Sequence, residues 1–212
     1  MFSFPNIITN VVPIIVGGMS VTLAAYITRK YWLEEDINDD DDLVNEVLFF
    51  SNQGIACRDH FKKELINKKT CHLENCSYYN LRRMIYYLEK TERTLDICLY
   101  LITLFDLSQI VVQAHKRGVK VRIITDEDMA NGSGSQVHSF FENGIPVRFR
   151  RKCTTLMHHK FVIIDKRLLM TGSLNWTMQA LCGNWDNLII TSQRQIVAAF
   201  ISEYERLWQD MN

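Results

Sequence analysis

Residues 158–165 read His-His-Lys-Phe-Val-Ile-Ile-Asp, an apolar and β-branched run that opens with two histidines and a lysine. Such runs favour strands, and on a strand the side chains at positions i and i+2 leave by the same face. His158 and Lys160 are therefore predicted to project together from one edge of a sheet, with His159 facing the other way. A bound anion would offset the cost of burying either group unpaired. Because imidazole can attack phosphorus or carry a proton near neutral pH, the pattern favours phosphate chemistry.

The residues after this strand extend the pattern. Asp165 completes His-x-Lys-x-x-x-x-Asp, residues 171–177 read Thr-Gly-Ser-Leu-Asn-Trp-Thr, and residues 184–187 read Asn-Trp-Asp-Asn. A His-x-Lys pair by itself is more often a solvent-facing pair at a strand end. Residues 158–190 as a whole resemble the HKD signature of the phospholipase D superfamily, which implies a phosphodiesterase.

The resemblance also implies a role for each matching residue. His158 resembles the nucleophile that forms a phosphohistidine, and Lys160 and Asn175 resemble the groups that hold the non-bridging phosphate oxygens. Asp186 stands where many relatives carry a Glu, so its contact with a catalytic histidine stays open. No catalytic metal is implied. The expected set comprises the catalytic His158, Lys160 and Asp165, with Asp165 orienting and balancing charge, and the phosphate-binding or supporting Ser173, Asn175 and Asp186.

The chain contains a second His-x-Lys at residues 60–62, but only the one at His158 continues as His-x-Lys-x-x-x-x-Asp, so there is a single HKD motif. The superfamily's mechanism uses two histidines, because one attacks phosphorus while the other protonates the leaving oxygen and then activates water. A homodimer with its two-fold axis through the active site supplies both from two copies of His158. The sequence therefore predicts a homodimer.

Composition indicates one catalytic domain, residues 43–212, behind an N-terminal segment. The chain has 212 residues and is 47% hydrophobic, enough for a sizeable core. Residues 33–42 form an acidic linker, whereas residues 43–212 hold 22 Lys plus Arg against 17 Asp plus Glu. This excess suits a polyanion or an anionic lipid. The basic residues within 148–152 are predicted either to track a phosphate backbone or to form a solvated strand edge.

Residues 1–32 are predicted to anchor the chain in a membrane. The first 28 residues carry no charged residue or histidine, and the apolar run is about long enough to span a bilayer. Arg29 and Lys30 follow, as expected at a cytosolic boundary. A secretory signal peptide and a buried core helix are the alternatives. An uncleaved single-pass anchor with a cytosolic catalytic domain is favoured, because a basic n-region is lacking and Pro13 interrupts the segment.

Alternating patterns predict an α/β/α sandwich, with helices on both faces of a mixed sheet. Besides the strand after His158, we expect strands at residues 46–50, 95–103, 119–125, 145–149, 168–171 and 188–191. Helices are expected at residues 81–89, 107–116, 136–142 and 196–208.

Residues 57–76 are predicted to form a small zinc-binding insertion. Cys57, Cys71, His72 and Cys76 give Cys-x13-Cys-His-x3-Cys, enough ligands for one structural Zn²⁺ per chain. His60 is an alternative ligand. A set of unrelated buried thiols explains the spacing equally well.

Taken together, the anchor, the cysteine–histidine insertion and the single HKD motif resemble the Zucchini family, also called mitochondrial phospholipase D. That resemblance implies a homodimer at the mitochondrial outer membrane that cleaves single-stranded RNA precursors during piRNA biogenesis. Hydrolysis of cardiolipin to phosphatidic acid is the alternative activity, and a membrane-tethered scaffold without activity is a third. The basic domain and the acidic linker favour RNA.

Overall fold

The computed structural model describes residues 43–52, 75–150 and 155–211. Its strands are β1 (Asn45–Phe50), β2 (Thr94–Leu99), β3 (Lys120–Asp126), β4 (Val147–Arg150), β5 (Lys160–Ile164), β6 (Leu168–Gly172) and β7 (Asp186–Thr191). Its helices are α1 (Ser77–Glu89), α2 (Phe105–Lys116), α3 (Glu127–Ala130), α4 (Val137–Glu142), α5 (Met178–Cys182) and α6 (Arg194–Asp210).

The seven strands form one mixed sheet in the order β1-β7-β6-β5-β2-β3-β4. Strands β2, β3 and β4 are parallel, and their connections run through α2 and through α3 with α4. The pairs β1–β7, β7–β6, β6–β5 and β5–β2 are antiparallel. The predicted mixed sheet is therefore confirmed.

Both faces of the sheet centre are covered, which explains the unbroken apolar run in β5. Val162 and Ile164 belong to a core that includes the buried residues of α1 and α2. Phe161 and Ile163 belong to a second core, which the buried Tyr204 of α6 completes on the opposite face. A strand buried on both faces reads as continuous rather than alternating hydrophobicity. The predicted flanking of the sheet by helices is confirmed.

The strand predicted at residues 95–103 ends at Leu99. Beyond it the chain turns to a different partner, because the Thr103 and Leu104 N–H groups both donate to the carbonyl oxygen of Trp176 at 2.9 Å. The four-residue α3 and the five-residue α5 were not predicted. They are too short for hydrophobic periodicity and depend on side-chain caps, since Asp126 and Thr177 accept backbone N–H groups of their first turns.

Two parts of the predicted organisation lie outside the described residues: the anchor with its linker, and the zinc ligands Cys57, Cys71 and His72. Cys76 is described and is buried immediately before α1. Within the described ranges, no helix combines the length and the apolar character needed to cross a bilayer.

The turn between β5 and β6 also organises the start of β2. Asp165 and Lys166 have φ of 52° and 57°, and the Arg167 N–H donates to the Ile164 carbonyl at 2.9 Å, as in a type I′ turn. The Asp165 carboxylate accepts the N–H groups of residues 92, 93 and 94 at 3.0, 2.7 and 2.8 Å. One side chain therefore fixes both a hairpin turn and the entry to a central strand.

We expect Asp165→Ala to lower the free energy of unfolding by about 2 kcal/mol, because three backbone donors lose a charged acceptor. Asp165→Asn should fall between wild type and Ala, since it keeps one carbonyl oxygen and tolerates positive φ. Urea unfolding monitored by circular dichroism measures the change. Lys166→Ala is the matched control at the neighbouring positive-φ position, and an equal loss in that variant would contradict the role of the carboxylate.

Candidate active site

The ends of three strands bring the sequence-predicted residues to one edge of the sheet. Lys160, the first residue of β5, pairs with Leu99, the last residue of β2. Strand β6 ends at Gly172, and β7 begins at Asp186 beside it. Residues that precede β5, follow β6 or begin β7 therefore share the edge at which the parallel strands β2, β3 and β4 terminate. Ligands of open α/β sheets bind at such carboxyl edges.

His158 and Lys160 project to the same side, against the ring of Tyr100. The exposed imidazole of His158 lies 4.7 Å from the Tyr100 ring, centroid to centroid, and is tilted by 57°. The Lys160 Nζ lies 5.2 Å from the same centroid and donates to the His158 carbonyl oxygen at 2.8 Å. His159 faces away, with its Nε2 3.8 Å from Glu203 Oε1 of α6. The predicted orientations of the two histidines are confirmed.

The ammonium of Lys160 is poised to receive an anion. Partial burial lowers its pKa below the ordinary lysine value, and the Asp186 carboxylate opposes this effect by favouring the charged form. A partly desolvated cation gains more from an incoming phosphate than a fully hydrated one does. The Asp186 carboxylate at the start of β7 thus interacts electrostatically with the Lys160 ammonium at the start of β5.

Ser173 and Asp186 are hydrogen-bonded where the end of β6 lies close to the start of β7. The Ser173 Oγ donates to Asp186 Oδ1 at 2.5 Å and accepts the Asn187 N–H at 3.1 Å. A Cβ on Gly172 would lie 2.1 Å from the Asn187 carbonyl oxygen, so only glycine allows this approach. The Gly-Ser element of the motif thus has a physical basis: the glycine admits the neighbouring strand, and the serine then bridges to it.

Asn175 lies on the segment after β6, which main-chain hydrogen bonds connect to the residues that follow β2. The N–H of its neighbour Trp176 donates to the Leu101 carbonyl oxygen at 3.2 Å, and Trp176 itself is buried. The Asn175 Oδ1 is buried and accepts no hydrogen bond within the described part of the chain. Since buried amide oxygens are normally paired, this unpaired acceptor distinguishes Asn175 from an ordinary core amide.

Asp165 is not brought to this edge. Strand β5 lies between Asp165 and His158, and its five residues alone span about 16 Å at roughly 3.3 Å per residue. Its carboxylate is occupied by the backbone at the start of β2. The assignment of Asp165 to the catalytic set was therefore wrong, and the geometry assigns it a structural role at the opposite end of the strand.

Tyr100 is a contact residue that the sequence analysis missed. It follows Leu99 directly, and its N–H donates to the His159 carbonyl oxygen at 3.0 Å, which fixes its backbone against the segment that carries His158. Its position just beyond a buried parallel strand is the signal that could have identified it.

We expect Tyr100→Leu to lower kcat for phosphodiester hydrolysis about threefold to thirtyfold, because the ring that orients His158 and Lys160 is lost. Tyr100→Phe keeps the ring and should retain most of the activity. Hydrolysis of bis(4-nitrophenyl) phosphate by the full-length chain measures kcat and KM separately. A positioning role predicts a loss mainly in kcat at an unchanged urea midpoint, whereas equal losses in the Leu and Phe variants would refute it.

Comparison with known proteins agrees with this geometry. Residues 84–208 match the family model described as "Cardiolipin synthase, PLD-like domain". The chain is 40% identical over 169 residues to the mitochondrial cardiolipin hydrolase of Chlamydomonas reinhardtii, which covers 78% of this chain and 73% of that protein. It is 32% identical over 178 residues to the mitochondrial cardiolipin hydrolase of Danio rerio, which covers 84% and 78%.

A solved structure shares the fold. NucT from Helicobacter pylori superposes with a TM-score of 0.64 at 19% identity, covering 80% of this chain and 98% of that one. The family match spans the edge that carries His158, Lys160, Ser173 and Asp186. The chain is therefore a phosphodiesterase that belongs to the mitochondrial cardiolipin hydrolase, or Zucchini, family of the phospholipase D superfamily.

Proposed function

We propose that this chain is a single-strand-specific endoribonuclease that works through a phosphohistidine at His158 in a homodimeric active site. The observation that carries the proposal is the joint projection of His158 and Lys160 from an open sheet edge. The basic excess of residues 43–212 supports a polyanionic substrate. The family resemblance supplies the biological setting, which is the cleavage of piRNA precursors.

In the proposed reaction, an imidazole nitrogen of His158 attacks phosphorus while the Lys160 ammonium and the Asn175 amide hold the non-bridging oxygens. The phosphorus–oxygen bond to the leaving group breaks, and His158 of the partner subunit donates the proton that this oxygen needs. The same partner imidazole then takes a proton from water, which attacks the phosphohistidine and frees His158. Asp186 holds the Ser173 hydroxyl at the border of the phosphate position.

The second imidazole is the reason for proposing a dimer. Of the other described histidines, His159 lies beside Glu203, His138 lies beside Glu142, and His115 is on α2. Within the described part of the chain, no ring contact or hydrogen bond joins any of these three side chains to His158. A second copy of the chain across a two-fold axis would bring an identical imidazole to the phosphate.

The proposed location is the cytosolic face of the mitochondrial outer membrane, with residues 1–32 as the anchor. The relatives named above carry "mitochondrial" in their names, which supports the organelle. The proposed structural zinc rests on the spacing of Cys57, Cys71, His72 and Cys76. Cys76 is buried at the start of α1, so a metal held there would tie the insertion to that helix.

Hydrolysis of cardiolipin is the second candidate function. Cardiolipin hydrolases are the relatives of this chain, and a phosphodiester in a lipid presents the same atoms to His158. Leu156, two residues before His158, is 58% exposed, as an apolar group that touches a lipid surface would be. The products would be phosphatidic acid and phosphatidylglycerol.

A mixed dimer tests the shared centre. The heterodimer contains one wild-type chain and one His158→Ala chain and is isolated with two affinity tags. We expect its kcat to fall at least about 100-fold, because its shared active site contains one His158 imidazole instead of two. His159→Ala is the matched control, because that imidazole faces α6. Half of the wild-type activity in the His158→Ala heterodimer would show that one chain suffices.

The substrate is tested with the full-length chain in nanodiscs, with wild type and His158→Ala side by side. We expect wild type to cleave end-labelled single-stranded RNA and to spare the duplex. The rate should fall steeply with salt as phosphate contacts are lost. Hydrolysis of cardiolipin in vesicles without RNA cleavage would replace the first proposal with the second.

A further inference from the structure

A hollow of about 420 Å³ lies against the candidate site and has no role in the phosphate chemistry. The described residues that line it include Phe49 and Ser51 at the end of β1, Asn75 before α1, and Trp185, Asp186 and Asn187 at the start of β7. Its volume falls within the range of small-ligand sites, roughly 300–1,000 Å³.

Two aromatic side chains at this hollow are unusually exposed. Trp185 is 77% exposed and Phe49 is 52% exposed. Strand β1 lies on the outer edge of the sheet, and Phe49 pairs with Asn187 of β7, so both rings flank the same strand end. A large exposed tryptophan is uncommon on a soluble surface unless it contacts a ligand or a partner.

The hollow shares a wall with the phosphate site. Asp186 lines the hollow, and its Oδ1 accepts the Ser173 hydroxyl. Asn187 also lines it, and its N–H donates to the same Ser173 oxygen. A group bound in the hollow would therefore lie beside the Ser173–Asp186 side of the phosphate site, as a nucleobase lies beside its own phosphate.

The lining favours a nucleobase over an acyl chain. A base offers a π face that stacks on tryptophan or phenylalanine, with donors and acceptors on its edge for an amide and a carboxylate. An acyl chain would place hydrocarbon against the charged Asp186 carboxylate, for which the single hydrogen bond from Ser173 compensates only in part, and this is costly. We propose that this hollow binds one unpaired base next to the scissile phosphate, with Trp185 as the stacking platform. The inference rests on the proposed ribonuclease function and deepens it.

The test uses single-stranded RNA with one defined cleavage position and single abasic substitutions scanned around it. We expect Trp185→Ala, in the full-length chain, to raise KM for intact RNA roughly fivefold to a hundredfold with little change in kcat. Trp185→Phe should stay near wild type. For wild type, an abasic site at one position should cause a similar loss, and Trp185→Ala should be insensitive to that same abasic site.

Tyr86→Ala is the matched control, since Tyr86 is a 42% exposed aromatic residue towards the far end of α1. Equal KM values for wild type and Trp185→Ala, or an abasic penalty that persists without the tryptophan, would overturn the inference while RNA cleavage itself stood. Loss of cardiolipin-vesicle binding in Trp185→Ala with unchanged RNA kinetics would assign the residue to lipid, and dissociation of the dimer in sedimentation would assign it to the subunit interface. Absence of RNA cleavage by wild type would reject the proposed function itself.

Discussion

The antiparallel pairing of Lys160 with Leu99 determines where the reactive side chains lie. Because β5 is buried on both faces, its register cannot slip by one residue without exchanging Phe161 and Val162 between the two cores. Such a slip would also turn Lys160 towards α6 and His159 towards the site. The apolar core on each side of the sheet therefore fixes the orientation of the charged groups at its edge.

A second constraint comes from the other side of the same edge. The side chain that Gly172 lacks would occupy the position of the Asn187 carbonyl, and the close strands hold Ser173 against Asp186. The Asp186 carboxylate acts on the Lys160 ammonium across this gap and favours its charged form against partial burial. The start of β5 and the start of β7, which are distant in sequence, thus place an ammonium and a carboxylate in one site where an anion can bind.

Much of this arrangement can be predicted from the sequence, because it depends on the regular alternation of side chains along each strand. The alternation of side chains along a strand predicted the opposite directions of His158 and His159, and β-branched runs located most strands. Asp165 was misassigned because the motif was treated as one catalytic set, although the apolar run places Asp165 at the opposite end of the strand from His158. Tyr100 was missed because its contact with His158 joins residues 58 positions apart, and no local pattern marks such a pair.

The centre formed by His158 and Lys160 does not discriminate among phosphodiesters. This explains why the family resemblance implies two alternative substrates, RNA and cardiolipin. An imidazole and an ammonium recognise phosphorus and its non-bridging oxygens, which are common to RNA and cardiolipin, so neither His158 nor Lys160 can select between them. Selection must come from side chains that touch what the phosphate is attached to. Asp186 stands at that boundary, since it belongs to the phosphate site through Ser173 and to the adjoining hollow through its neighbour Trp185. Changes of substrate preference within this fold are therefore expected at positions such as the start of β7 rather than at the nucleophile, because the surroundings can change there without altering the reacting atoms.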